Sequence, residues 1–150
     1  MAAYDGPTQH RQVTILMVED DEGHARLIER NIRRAGVCNE IVHATDGASA
    51  LARLTEDLAG NCRPVLVLLD LNLPDMSGIA ILERLKASEG LRRIPVVILT
   101  TTDDEREIQR CYDLGANVYI TKPVDYDQFA QAIRQLGLFL SVIQVPEASL

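Results

Sequence analysis

The chain has 150 residues, 47% of them hydrophobic and 25% charged, with a net charge of −7, which fits one globular domain able to bury its own core. Its lysines are Lys86 and Lys122 alone, so no basic patch of the kind that binds nucleic acid is visible, and no apolar run reaches the length of a membrane span. Cys38, Cys62 and Cys111 stand at spacings that suit neither a disulfide framework nor a zinc site; with a polar start that lacks a signal region, this predicts a cytoplasmic protein with reduced thiols, buried or half-buried.

Residues 1–12 read as a flexible tail with a Gly6-Pro7 turn signal. Val13 to Val18 is a first buried strand, ending in Glu19-Asp20-Asp21, and a helix follows to about Ala35 with Ala25, Leu27, Ile28 and Ile32 on one face. Asp21 is its cap and Gly36 its stop. Glu40 to Ala44 is a shorter second strand. Asp46 caps a helix from Gly47 to about Ala59, with Ala48, Leu51, Leu54 and Leu58 inward and Gly60-Asn61 ending it. Val65 to Leu69 is an unbroken aliphatic run, the mark of a strand covered on both faces, and it delivers Asp70. A loop to Gly78 leads into a helix from Ile79 to Ala87, with Ile79, Leu82 and Leu85 as its core face. Ile94 to Leu99 is the fourth strand, with Pro95 near its start, and ends in Thr100-Thr101-Thr102. Asp103 and Asp104 open a helix to Leu114, stopped by Gly115. Asn117 to Thr121 is the fifth strand, followed by Lys122-Pro123, and Asp125 opens a last helix carrying Phe129, Ala132, Ile133 and Leu136.

Strand and helix alternate five times, which implies a parallel α/β sheet with right-handed crossovers. This spacing favours the flavodoxin-like doubly wound (βα)5 order 2-1-3-4-5, with the site at the carboxyl edge of the strands. There the chain places Glu19 and Asp20, then Asp70, Thr100 and Lys122. Three carboxylates in one place repel and raise each other's pKa. A hard divalent cation removes that cost, and oxygen ligands with room for water fit Mg²⁺. A lysine and a hydroxyl opposite the metal suit a phosphoryl group, whose transfer depends on positioning and charge neutralisation, and a carboxylate can accept phosphate covalently.

These residues resemble the response-regulator receiver domains of two-component signalling. The matching motifs are Glu19-Asp20, Asp70, Leu-Pro-Asp-Met-Ser-Gly from Leu73 to Gly78, Thr100, and Lys122-Pro123, and the resemblance covers 13–138. It implies that Asp70 is the phosphoacceptor for a histidine kinase. It implies too that Asp20 binds Mg²⁺ directly, Glu19 more often through water, and Asn72 through its backbone carbonyl. Lys122 would pair with phosphoryl oxygens, Thr100 would hydrogen-bond one, and Thr100 and Tyr119 would form the switch to the surface of the fourth helix, fifth strand and fifth helix. Asp21 is read as a helix cap rather than a ligand. Many receivers carry an aromatic residue where this chain has Val124, and alanine or serine where it has Thr101. No output domain follows Leu138, as in single-domain regulators, and the Val-Glu-Asp start, the long loop before Pro64 and the apolar end resemble regulators paired with phytochrome-type kinases. Such a protein is a phosphoacceptor in signalling rather than an enzyme, catalysing only its own phosphotransfer and autodephosphorylation. Residues 139–150 form an apolar extension, expected to pack with the last helix in a two-fold homodimer.

Three other readings stand beside this one. An aspartate-nucleophile phosphatase of the haloacid-dehalogenase type needs a second acid two residues after Asp70, where the chain has Asn72. A flavin or nucleotide binder needs a Gly- or Ser/Thr-rich phosphate loop after the first strand, where three acids stand instead. A phosphorylation-independent dimeric adaptor on the same scaffold is argued against only by the complete acceptor site. His10, His24 and His43 share no spacing; His24 lies one turn beyond Asp20, from where it could approach the site, and is read instead as a solvated helix histidine. Arg33-Arg34 and Arg92-Arg93 are read as solvated surface.

Overall fold

A computed structural model of the chain describes residues 13–58 and 64–140. The aliphatic runs form β1 (Thr14–Val18), β2 (Ile41–Ala44), β3 (Val65–Leu69), β4 (Val96–Thr100) and β5 (Val118–Thr121). They alternate with α1 (Glu22–Arg34), α2 (Gly47–Ala52), α3 (Gly78–Ala87), α4 (Glu105–Asp113) and α5 (Tyr126–Leu140). All strand pairs are parallel and the sheet runs β2-β1-β3-β4-β5, the expected flavodoxin-like order.

Because side chains alternate along a strand, each inner strand feeds two cores. Leu16, Val18, Val67, Leu69, Val96 and Ile98 pack on one face with Leu54, Ile81, Leu82 and Leu85 of the α2–α3 side. Ile15, Met17, Leu66, Leu68, Val97 and Leu99 pack on the other, against Leu27, Ile28 and Ile32 of α1 and Phe129, Ile133 and Leu136 of α5. β1, β3 and β4 are buried throughout, and each large aliphatic side chain withdrawn from water contributes roughly 1.5–3 kcal/mol. α1 and α5 approach closely at Gly137, where a Cβ would sit 2.6 Å from that of Ala35.

The caps hold the helices where the sequence places them. Asp21 accepts from the His24 N–H, Asp46 from Ser49 and Asp104 from Arg106, each satisfying an N-terminal donor with no intrahelical partner. Gly36 and Gly115 take φ of 91° and 105° after α1 and α4, the left-handed geometry that ends a helix. Asp125 accepts from the Gln128 N–H ahead of α5.

Some expectations need correction. Ala48 is exposed, and the inward stripe is Gly47, Ala50, Leu54 and Leu58, with Leu51 half-buried against the same core. The Asp75 carboxylate, on the loop after β3, accepts the N–H groups of Gly47 and Ala48 at 2.8 and 2.9 Å and ties the start of α2 to the loop. α2 continues as a π-helical turn over Arg53–Leu58, and its expected end at 59–61 lies outside the described residues. Cys38 is exposed, while Cys111 is buried; Cys62 and His10 lie outside the described residues. α5 runs to Leu140, and that side chain is buried in the α1–α5 core, so the compact unit extends past Leu138. Residues 1–12 and 141–150, and with them most of the expected extension, lie outside the described residues. No helix among the described residues is long and apolar enough to cross a membrane.

Candidate functional site

Register brings the site together. Val18 pairs with Leu69, so Glu19 and Asp70 leave the sheet side by side, and Leu69 pairs with Ile98, which brings Thr100 alongside Asp70. Lys122 follows β5, whose Thr121 pairs with Thr100. Glu19, Asp70, Thr100 and Lys122 are all buried, whereas Asp20 is exposed.

Asp70 Oδ1 accepts from the Asn72 N–H at 3.0 Å and from the Thr100 hydroxyl at 2.8 Å, and Oδ2 accepts from Lys122 Nζ at 3.1 Å. Lys122 also donates to Glu19 Oε1. Burial pushes the Asp70 carboxyl up, but the Asn72 N–H, the Lys122 charge and the Thr100 hydroxyl outweigh it and leave its pKa below the ordinary value. Glu19 goes the other way. Burial raises it to about 7 against the pull of Lys122 and with the help of the Asp70 charge. Two neighbouring carboxylates thus differ in their hold on a proton, because Asp70 has three donors directed at it. Glu19 has Lys122 and one backbone N–H, that of Asp21 at 3.2 Å.

Ligand oxygens of Glu19, Asp20 and Asp70 lie within 4.8 Å of one another. The donor set is all carboxylate oxygen, which suits a hard divalent cation. This group can hold a metal ion. Asp21 is directed at the α1 N-terminus, as expected of a cap.

The motif from Leu73 to Gly78 has a steric cause. The chain folds back so that Gly78 donates to the Leu71 carbonyl at 2.9 Å and Asn72 bridges Ser77. A Cβ at Gly78 would lie 2.4 Å from the Asp70 carbonyl oxygen and 2.7 Å from Leu71 Cα. Only a residue without a side chain permits this approach.

Around this centre lie groups the sequence did not reveal. The Asn72 side-chain amide stands 3.4 Å from each of the Thr100, Thr101 and Thr102 hydroxyls; the run of three threonines after β4 was the available signal. Tyr119 is half-buried, and its hydroxyl donates to the Thr102 carbonyl at 2.7 Å. Burial raises that phenol to about 12, so it remains a donor at neutral pH. Val124 is fully exposed. His24 is a correction. It is half-buried, its Nδ1 lies 3.1 Å from Lys122 Nζ, and its ring meets Phe129 edge-on at 5.7 Å. Its place three residues after the Asp21 cap turns it back over the strand ends, which spacing among the histidines alone did not show.

The receiver domain of response regulators matches residues 15–134. Response regulator Rcp1 of Synechocystis sp. (strain ATCC 27184 / PCC 6803 / Kazusa) is 34% identical, over 89% of this chain and 93% of its own length. The Mn²⁺-bound structure of a response regulator Rcp1 aligns with a TM-score of 0.81 at 31% identity, over 89% of this chain and 99% of that one. The crystal structure of a receiver domain from Rhodospirillum rubrum aligns with a TM-score of 0.87 at 68% identity, covering 91% of this chain and 99% of that one. The phosphorylated cyanobacterial phytochrome response regulator RcpA aligns with a TM-score of 0.81 at 38% identity, covering 91% and 100%. By sequence and by fold, this chain belongs to the response-regulator receiver domain family of two-component signalling.

Proposed function

We propose that Asp70 accepts a phosphoryl group from a phosphohistidine of a partner histidine kinase, in a step that requires Mg²⁺. The observation that carries this is the set of donors on one buried carboxylate: the Asn72 N–H, the Thr100 hydroxyl and the Lys122 ammonium. They keep Asp70 ionised, and so nucleophilic, at neutral pH. A carboxylate oxygen forms the O–P bond as the P–N bond of the donor breaks, and the electron pair stays on the imidazole nitrogen. Lys122 and Thr100 are placed to pair with phosphoryl oxygens. Mg²⁺, held by Glu19, Asp20, Asp70 and the Asn72 backbone carbonyl, would neutralise charge on the transferring group.

The same reading assigns the switch to Thr100 and Tyr119. If Thr100 turns toward the phosphoryl group, Tyr119 gains space to leave the Thr102 carbonyl, and the α4-β5-α5 surface shifts its population toward a second state. The phytochrome regulator among the aligned structures supports a phytochrome-type kinase as partner, and the near full-length match to Rcp1 supports a regulator that works through its own surface. A homodimer through the end of α5 is supported by two features: Leu138 is 60% exposed, and a largely apolar groove is lined by Val118, Ile120, Ala132, Gln135 and Leu136.

Incubation with acetyl phosphate, with Mg²⁺ or with EDTA, tests the acceptor. Label should appear on the wild type with Mg²⁺ alone, and Asp70→Asn, nearly isosteric, should abolish it without loss of fold. Label on the asparagine variant would move the acceptor elsewhere. An aspartyl phosphatase is disfavoured because the side chain two residues on is the Asn72 amide, which supplies no acid. If beryllofluoride leaves the backbone amides of α4, β5 and α5 unmoved, the phosphorylation-independent adaptor becomes the better account.

A further inference from the structure

We infer that His24 is a positioning residue for the phosphoryl-transfer site, acting as a neutral imidazole whose Nδ1 accepts the third N–H of Lys122. The inference rests on the acceptor reading above and adds a residue to it.

An ammonium has three donors and no acceptor. Those of Lys122 have three acceptors within reach: Glu19 Oε1, Asp70 Oδ2 at 3.1 Å and His24 Nδ1 at 3.1 Å. The Lys122 side chain is only 2% exposed, so water is a poor substitute for a lost partner, and an unmade hydrogen bond on a buried charge is costly. A contact with an ammonium requires Nδ1 to be unprotonated, which places the imidazole proton on Nε2. The ring is held from two sides. Its backbone N–H donates to Asp21 Oδ1 at 3.0 Å, and its face or edge rests on Phe129 of α5 with an interplanar angle of 81°.

The other two acceptors of Lys122 are carboxylates that the acceptor reading gives to the metal and to the phosphoryl group. When a phosphoryl group arrives on Asp70, Lys122 must turn one N–H to it. His24 is the partner that takes no part in that exchange, so it fixes the direction of the ammonium through the reaction. Protonation of His24 would remove the acceptor and set two cations in contact. The charged groups around the ring are Asp21, which caps its own helix, Lys122 after β5 and, across Lys122, Glu19 after β1 and Asp70 after β3. α5 contributes the Phe129 ring, with Asp125 at its start. A side chain that keeps an acceptor at this position should therefore sustain phosphorylation where one that keeps only bulk does not.

The test uses the full chain with saturating Mg²⁺ and acetyl phosphate, comparing wild type, His24→Gln and His24→Leu. Glutamine keeps an acceptor that does not titrate; leucine keeps bulk alone. The initial rate of His24→Leu should fall roughly tenfold, the scale of one hydrogen bond lost from a charged group. His24→Gln should stay near the wild-type rate, because its amide oxygen still accepts from Lys122. A leucine variant that matches the wild type, or a glutamine variant as slow as the leucine one, overturns the inference and leaves the acceptor reading standing. Absence of label on the wild type would instead refute the acceptor reading. The contact is then read without phosphate, from ring ¹⁵N spectra: Nε2–H with Nδ1 as acceptor, and an Nδ1 resonance that moves in Lys122→Met, support it. A proton on Nδ1 overturns it.

Discussion

Glu19 gives the metal-free protein an unusual pH dependence. Its carboxyl is pushed from 4.5 to about 7, first by burial and then by the Asp70 charge, against Lys122. A carboxyl with a raised pKa binds its proton more tightly folded than unfolded, so its contribution to stability is present below the unfolded value and lost as pH rises toward the folded one. The window is therefore about pH 4.5 to 7. At about 1.4 kcal/mol per unit, the shift corresponds at its upper end to a loss on the order of 3 kcal/mol, or roughly 6–12 °C in Tm for a domain of this size. Asp70, whose pKa is lowered, has the opposite sign, but its contribution is lost below the unfolded carboxyl value and leaves the window untouched. Thermal melts in EDTA at about pH 5 and pH 7.5 read the effect; the wild type should melt lower at the higher pH, and Glu19→Gln should be nearly flat. If the carboxylates hold Mg²⁺ as proposed, adding it should raise the melting point more at the higher pH, where they are ionised and only the folded chain gathers them. A wild-type profile that is flat or rising in EDTA, parallel to that of Glu19→Gln, would refute the argument.

Three further outcomes are expected. Gly78→Ala would place a methyl 2.4 Å from the Asp70 carbonyl oxygen; the backbone must shift, at a cost of about 1–3 kcal/mol, and both the denaturation midpoint and the acetyl phosphate labelling rate should fall. Tyr119→Phe removes the hydrogen bond to the Thr102 carbonyl, which should cost about 0.5–1.5 kcal/mol in urea denaturation and shift the amide resonances of residues 101–104 without blocking phosphorylation. If the apolar end of the chain closes a homodimer, light scattering should find the full chain dimeric at micromolar concentration and a chain ending at Leu140, which keeps α5 whole, weaker in association. Equal association of the two would place the contact elsewhere.

What the sequence determined by itself was local or periodic. Short unbroken runs such as Val65–Leu69, too short for a helix and bounded by Pro64 and Pro74, read as strands covered on both faces, and Asp21, Asp46 and Asp104 announce helix starts because each short side chain can bond a donor within three residues. Alternation then dictates a parallel sheet, so Glu19, Asp70, Thr100 and Lys122 had to meet at one edge. Tertiary structure decided what depends on distances between chain-remote atoms. Asp75 reaches the start of α2 across 28 residues and takes its first two N–H groups, and Ala48, whose spacing suggested inward, faces out. Gly78 is required by a backbone approach that exists only once the loop closes on Asp70. The pairing of Lys122 with Glu19 spans 103 residues and that with His24 spans 98. The sequence carried the first as a shared sheet edge, a consequence of topology. It left the second unread, because whether a half-buried ring on α1 turns toward solvent or toward an ammonium is settled by the rotation of that helix against α5 and the Phe129 ring beside it.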